Sequence, residues 1–158
     1  MNKSIGEVMA RNPMVVHPKT PLRDAIQLMA KHHFSGLPVV DPANPDRLVG
    51  VVSQTDFLAQ ETGVTPPAYV MVLDSFVYFN NPVTFDRDLH RAVGQTVQDI
   101  MTPHPITIRP EQTLAEASRV MRDRHIHRLP VVDEAGRLVG IITQSDIVRS
   151  MALEMAAV

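Results

Sequence analysis

Apolar residues along this chain fall into short runs, and the spacing within each run predicts its element. Residues 1–13 read as a lead-in with one helical turn around Ile5 to Met9. Met14 to Val16 is a brief apolar strand closed by His17-Pro18. Thr20-Pro21 predicts a helix start, with a hydroxyl at the N-cap and proline at the first helical position. Leu22, Ala25, Ile26 and Met29 follow at helical spacing, so one face of that helix is apolar. The pattern breaks from His32 to Gly36. Leu37 to Val40 and Leu48 to Val52 are then two apolar strands joined by the polar stretch Asp41 to Arg47, which reads as a hairpin. Ser53-Gln54-Thr55-Asp56 opens a second helix that runs to about Gln60.

The whole order then returns. Residues 8–41 match residues 100–133 at 12 of 34 positions without a gap, and residues 47–58 match 137–148 at 6 of 12. Thr113 and Glu116 supply a capping box where the first copy has Thr20-Pro21, and Leu114, Ala117, Val120 and Met121 repeat the apolar face. Each copy is strand, helix, strand, strand, helix over roughly 50 residues, a length that buries too little surface to stand alone. The predicted fold class is α/β, in the α+β sense: two β-α-β-β-α repeats packed with pseudo-two-fold symmetry into one module. The expected division is a first repeat with its lead-in (1–60), an insert (61–98) and a second repeat with a C-terminal helix (99–158).

The insert holds five of the seven aromatics, Tyr69, Phe76, Tyr78, Phe79 and Phe85. Ala68 to Phe79 is nearly continuous apolar sequence broken at Asp74-Ser75, and it is either one helix or two strands turning at that dipeptide. Phe85 to Val93 reads as a short amphipathic helix stopped at Gly94. The aromatics either pack on the repeats or form a dimer contact, since interface cores are enriched in them.

Composition narrows the function classes. Of 158 residues, 44% are hydrophobic and 20% charged, which supplies a core and argues against disorder. A formal net charge of −2 gives no general attraction to nucleic acid or anionic membrane. Cysteine is absent, which removes disulfides and thiolate chemistry. No apolar run approaches the roughly 18 residues of a membrane span and no signal-peptide core is visible, so a soluble cytoplasmic protein is expected.

The repeated motifs carry the strongest signal. Each copy reads L-P-V-V-D and then R-L-V-G, two apolar residues and [ST]-Q-[ST]-D, from Leu37 to Asp56 and from Leu129 to Asp146. Glu7-Val8-Met9 and Asp99-Ile100-Met101 precede the two copies. Together these resemble the cystathionine-β-synthase (CBS) domain family, in which paired repeats form regulatory Bateman modules. The resemblance covers both repeats, about two-thirds of the chain, and leaves residues 61–98 outside. It implies an adenosine-containing ligand of the AMP, ADP, ATP or S-adenosylmethionine type in clefts between the repeats. It also implies signalling to a protein effector and a homodimer.

Carried onto this sequence, the resemblance places Ser53, Thr55 and Asp56 in one site and Thr143, Ser145 and Asp146 in the other, with Val51 and Ile141 against the adenine. The residue types suit the task. A carboxylate accepts from the vicinal hydroxyls of a ribose, and a strand-to-helix junction offers free N–H groups to a phosphate. The competing reading is that each Ser/Thr-x-x-Asp is only a helix cap. Before L-P-V-V the second repeat carries His127 and Arg128, a cationic pair for phosphate, where the first carries Ser35 and Gly36. The resemblance pairs His127 and Arg128 with the Asp56 site, which is therefore expected to hold a phosphorylated ligand more tightly.

Other chemistry finds little support. Seven histidines lack the spacing of a converging metal set, so no metal is expected beyond a magnesium ion accompanying a polyphosphate. No nucleophile elbow or Gly-rich phosphate loop is present, and no acid, base or nucleophile can be nominated, so the chain is read as a non-enzyme. Arg119, Arg122, Arg124 and Arg128 are interleaved with acids and lack stacking aromatics, so nucleic acid is not expected. The alternative to a sensor is a structural or oligomerisation module with empty or degenerate clefts.

Overall fold

The computed structural model describes residues 3–58, 69–72, 75–78 and 95–158. Its elements are α1 (Ile5–Val8), β1 (Ala10–Arg11), α2 (Leu22–His32), β2 (Gly36–Asp41), β3 (Asn44–Ser53) and α3 (Gln54–Leu58). They continue with β4 (Tyr69–Val72), β5 (Ser75–Tyr78), α4 (Val97–Ile100) and β6 (Thr102–Pro103). The last are α5 (Leu114–Arg124), β7 (Arg128–Val132), β8 (Leu138–Thr143) and α6 (Gln144–Ala156). This is the mixed α/β composition expected. The apolar stretch around Asp74-Ser75 forms two strands, with Tyr69 opposite Tyr78 and Val72 opposite Ser75. The expected helix from Phe85 to Val93 and the side-chain role of the aromatics lie outside the described residues.

The chain divides into two compact units that do not follow its linear order. One comprises Met1–Pro13, Asp46–Leu48 and Pro105–Val158; the other comprises Met14–Pro45 and Val49–His104. Each unit thus combines one repeat with the lead-in that precedes the other. In the first unit Ile5 and Met9 join a core of Ile108, Leu114, Ala117, Met121, Leu129, Val131, Ile142 and Ile147. In the second, Val97 and Ile100 join Val16, Leu22, Ala25, Met29, Leu37, Val39, Val52 and Phe57. Backbone bonds fix the arrangement: Ile5 N–H donates to Gln112 O at 2.8 Å, and Val97 N–H donates to Thr20 O at 2.9 Å.

The lead-ins also complete the sheets, whose strand orders are β1-β8-β7 and β2-β3-β6. Both edge strands are antiparallel, with Arg11 opposite Gly140 and Pro103 opposite Gly50. The glycines of the two R-L-V-G motifs have a steric reason. A Cβ on Gly140 would lie 2.6 Å from Met9 Sδ and 2.8 Å from Ala10 O. A Cβ on Gly50 would lie 2.8 Å from Met101 Sδ and 3.0 Å from Thr102 O. Only a residue without a side chain lets the lead-in cross so closely.

Three local expectations need correction. The first strand of each repeat is reduced to one parallel bridge, Val16 with Val39 and Ile108 with Val131. Prolines at 13 and 18 and at 105 and 110 hem these segments in and remove the donors that a longer ladder would need. Helix α2 has Pro21 at its N-cap rather than Thr20. The Thr20 hydroxyl instead accepts from His17 N–H at 2.9 Å within the preceding turn. Strand β3 begins at Asn44, before the expected Leu48, so the first hairpin turns on Pro42-Ala43.

The capping box at Thr113 forms as expected. Its hydroxyl accepts from Glu116 N–H at 3.2 Å, and the Glu116 carboxylate accepts from Thr113 N–H at 2.7 Å. These bonds from the Thr113 backbone and hydroxyl hold the Glu116 carboxyl below the ordinary carboxylate range. Both long core helices α2 and α5 end on a left-handed histidine, His33 (φ 55°) and His125 (φ 53°). Two of the histidines thus terminate helices, and among the described residues no cluster of three potential ligands could hold a metal ion. No helix among these residues is long and apolar enough to cross a membrane.

Candidate functional site

The two [ST]-Q-[ST]-D motifs stand at the same structural position, where β3 passes into α3 and β8 passes into α6. In the first, Ser53 N–H and Ser53 Oγ both donate to Asp56 Oδ2, at 2.9 and 3.1 Å, while Asp56 N–H approaches Ser53 Oγ at 3.4 Å. In the second, Thr143 N–H and Oγ1 donate to Asp146 Oδ2, both at 2.9 Å, and Asp146 N–H donates to Thr143 Oγ1 at 3.2 Å. Both motifs are therefore capping boxes, with aspartate in the place usually held by Glu or Gln. The cap reading is realised at both motifs. It uses one oxygen of each carboxylate and leaves the other, Oδ1, facing away from the box.

Those Oδ1 atoms have different partners. Asp56 Oδ1 accepts from the Thr102 hydroxyl at 3.1 Å, whereas Asp146 Oδ1 accepts from Arg149 Nη1 at 3.1 Å. Neither Thr102 nor Arg149 belongs to the set expected from sequence. Thr102 lies in the second lead-in, and nothing in the linear order ties it to Asp56. Arg149 was more accessible, since a residue three beyond Asp146 in a helix shares its face.

Each unit also brings the segment before L-P-V-V to its own motif. In one, Gln54 N–H donates to Ser35 O at 3.0 Å, and Ser35 is buried with Gly36 beside it at the start of β2. In the other, Gln144 N–H donates to His127 O at 3.0 Å, and Arg128 stands opposite Thr143 across the β7–β8 ladder. The side chains then diverge. Gln144 Oε1 lies 3.0 Å from His127 Nδ1. Its counterpart Gln54 is buried, and its Oε1 has no hydrogen-bond partner. Val51 is buried on β3 and Ile141 half-buried on β8, opposite Thr102 and Ala10 of the lead-in strands. Thr55 is exposed, Ser145 half-buried and His127 exposed.

What these junctions offer is recognition. Each presents a carboxylate held in place by its own cap, one or two hydroxyls, and an apolar strand residue two positions before the cap. That set can accept hydrogen bonds from a diol and pack against a flat ring.

Comparison with known proteins accords with this geometry. The model of the CBS domain matches residues 5–62 and 97–153. The chain is 34% identical over 158 residues to the chloroplastic CBS domain-containing protein CBSX2 of Arabidopsis thaliana, covering 93% of this chain and 63% of that protein. It is 30% identical to the uncharacterized protein MJ1426 of Methanocaldococcus jannaschii, covering 92% and 93% of the two chains. Among solved structures, CBSX2 from Arabidopsis thaliana superposes with a TM-score of 0.76 at 31% identity, covering 100% of this chain and 99% of that one. CBSX2 in complex with AMP superposes with a TM-score of 0.69 at 33% identity, covering 98% of both chains. The chain thus spans about 63% of the length of its Arabidopsis relatives CBSX1 and CBSX2. It belongs to the CBS domain family, with two matched copies.

Proposed function

We propose that this pair of CBS domains is a regulatory sensor that binds an adenosine-containing ligand through its strand-to-helix motifs and passes the bound state to a protein partner by a change of shape. The observation that carries the reading is the twofold occurrence of a cap-anchored aspartate beside an apolar strand residue. It occurs in a chain whose relative CBSX2 has been crystallised with AMP at 33% identity. Asp56 and Asp146 accept from the ribose hydroxyls, Val51 and Ile141 pack on adenine, and Ser53, Thr55, Thr143 and Ser145 supply hydroxyls around the sugar and phosphate. His127 and Arg128 bring the positive charge for a phosphate, and Ser35 and Gly36 bring none. Magnesium enters only with a polyphosphate.

The chain acts by binding rather than turnover, because its motif side chains are committed to anchoring and none is set as an acid, base or nucleophile. Signalling requires the ligand to favour one conformation over another, since equal affinity for both shifts nothing. A specific observation favours a second reading, a structural module: the hydroxyl and one carboxylate oxygen of both motifs are engaged in capping boxes. A thermal-shift screen with AMP, ADP, ATP, NAD and S-adenosylmethionine separates the two. A ligand that binds only the folded state raises its stability by about 2.7 kcal/mol at a hundred times its Kd. A rise with an adenosine compound supports the sensor; no rise with any of them supports the structural module. Native mass spectrometry of the purified protein reports retained ligand and the expected homodimer together.

A further inference from the structure

One arginine contests the acceptor that Asp146 offers to a ligand. Asp146 Oδ2 already accepts two hydrogen bonds from Thr143, which fills its acceptor positions. A diol must therefore be read chiefly by Oδ1, where the Arg149 guanidinium sits at 3.1 Å. A charged donor in that place competes directly with two neutral hydroxyls. The register that aligns residues 47–58 with 137–148 puts Ala59 opposite Arg149, so the first repeat carries no such side chain. Asp56 Oδ1 accepts from the neutral Thr102 hydroxyl, whose hydrogen can turn away.

Arg149 also has somewhere to go. Its side chain is 70% exposed, while the Asp146 side chain is 17% exposed, so the arginine is the freer member of the pair. A cavity of about 230 Å³ between α1 and α6 is lined by Lys3, Glu7, Asp146, Arg149, Ser150 and Leu153. Two acceptors line it besides Asp146: the Glu7 carboxylate and the Ser150 hydroxyl, which is buried without a hydrogen-bond partner. We propose that Arg149 competes with the ligand diol for Asp146, and that on binding it is released to Glu7 and Ser150. The second motif is thereby weakened as a ribose reader, and its occupancy is transmitted to helix α1. The inference rests on the proposed function and adds a specificity-determining residue to it.

The test uses the full chain with Asp56→Asn, which silences diol reading at the first motif, and adenosine, which carries no phosphate for His127 or Arg128. Calorimetry should show that Arg149→Ala raises adenosine affinity roughly twofold to fivefold, the amount expected on removing an exposed competing ion pair. Glu7→Gln, which retains the capping-box hydrogen bond, should lower it, because the released arginine loses its second carboxylate. An unchanged or weaker affinity in Arg149→Ala overturns the competition. Adenosine binding to the unmutated protein but not to Asp56→Asn also overturns it, without touching the proposed function. No adenosine compound binding to any form overturns both.

Discussion

The Thr102 hydroxyl donates to Asp56 Oδ1 at 3.1 Å, joining residues 46 positions apart in the chain. The bond couples the second lead-in to the helix-opening carboxylate of the first repeat. Thr102→Val keeps the shape and removes the donor. We expect a loss of about 0.5–1.5 kcal/mol in urea unfolding, the range for a single hydrogen bond. An unchanged midpoint would show that the contact contributes nothing to holding the lead-in.

The crossing glycines give a second prediction. Gly140→Ala places a methyl 2.8 Å from a backbone oxygen, whereas at Gly50 the nearest backbone oxygen is at 3.0 Å. Overpacking of this kind costs about 1–3 kcal/mol. Both variants should unfold at lower temperature, Gly140→Ala more so. Equal stability to the parent would mean that the lead-ins yield without cost.

These two contacts mark the limit of what the sequence could disclose. The repeat, the helices within the two repeats, the hairpins and the capping boxes were legible because each depends on neighbouring residues. Two strands were overestimated because Val16 and Ile108 look like strand residues while the prolines around them deny a ladder. The pairing of each lead-in with the other repeat was not legible at all. Glu7-Val8-Met9 and Asp99-Ile100-Met101 are so alike that either could fill either core. The motif aspartates were proposed by residue type and family resemblance; Arg149 lies at helical spacing from Asp146, but the pairing of Thr102 with Asp56 emerges only from the folded chain.

Stability should fall in acid with a slope that Glu116 helps to set. Its folded-state pKa is lowered by hydrogen bonds from Thr113, so its contribution is present above the ordinary glutamate range and is lost as pH falls through the lowered value. Glu7, held down by Ser4, and Asp133, held down by Arg137, act with the same sign. Glu116→Gln should therefore be less stable than the parent at neutral pH, and the gap should narrow as the pH falls below the ordinary glutamate range and through the lowered folded-state value. A gap that persists unchanged into strong acid would rule out this origin.

His127 and Arg128, at the start of β7, should matter only for phosphate. Arg128→Ala is expected to weaken AMP about tenfold or more, the effect of one charged hydrogen bond, while leaving adenosine within about twofold. A parallel loss for both ligands would mean that Arg128 supports the fold of the site instead of reading the phosphate.

The most direct test of the account is calorimetry of AMP against the parent and the Asp56→Asn, Asp146→Asn double variant, with thermal unfolding run alongside. Asparagine keeps an oxygen for each capping box but turns an uncharged amide donor, in place of the carboxylate acceptor, toward the ribose. The account predicts saturable AMP binding to the parent and a loss of about tenfold or more in the double variant, with the fold retained. AMP affinity undiminished in a folded double variant would contradict it.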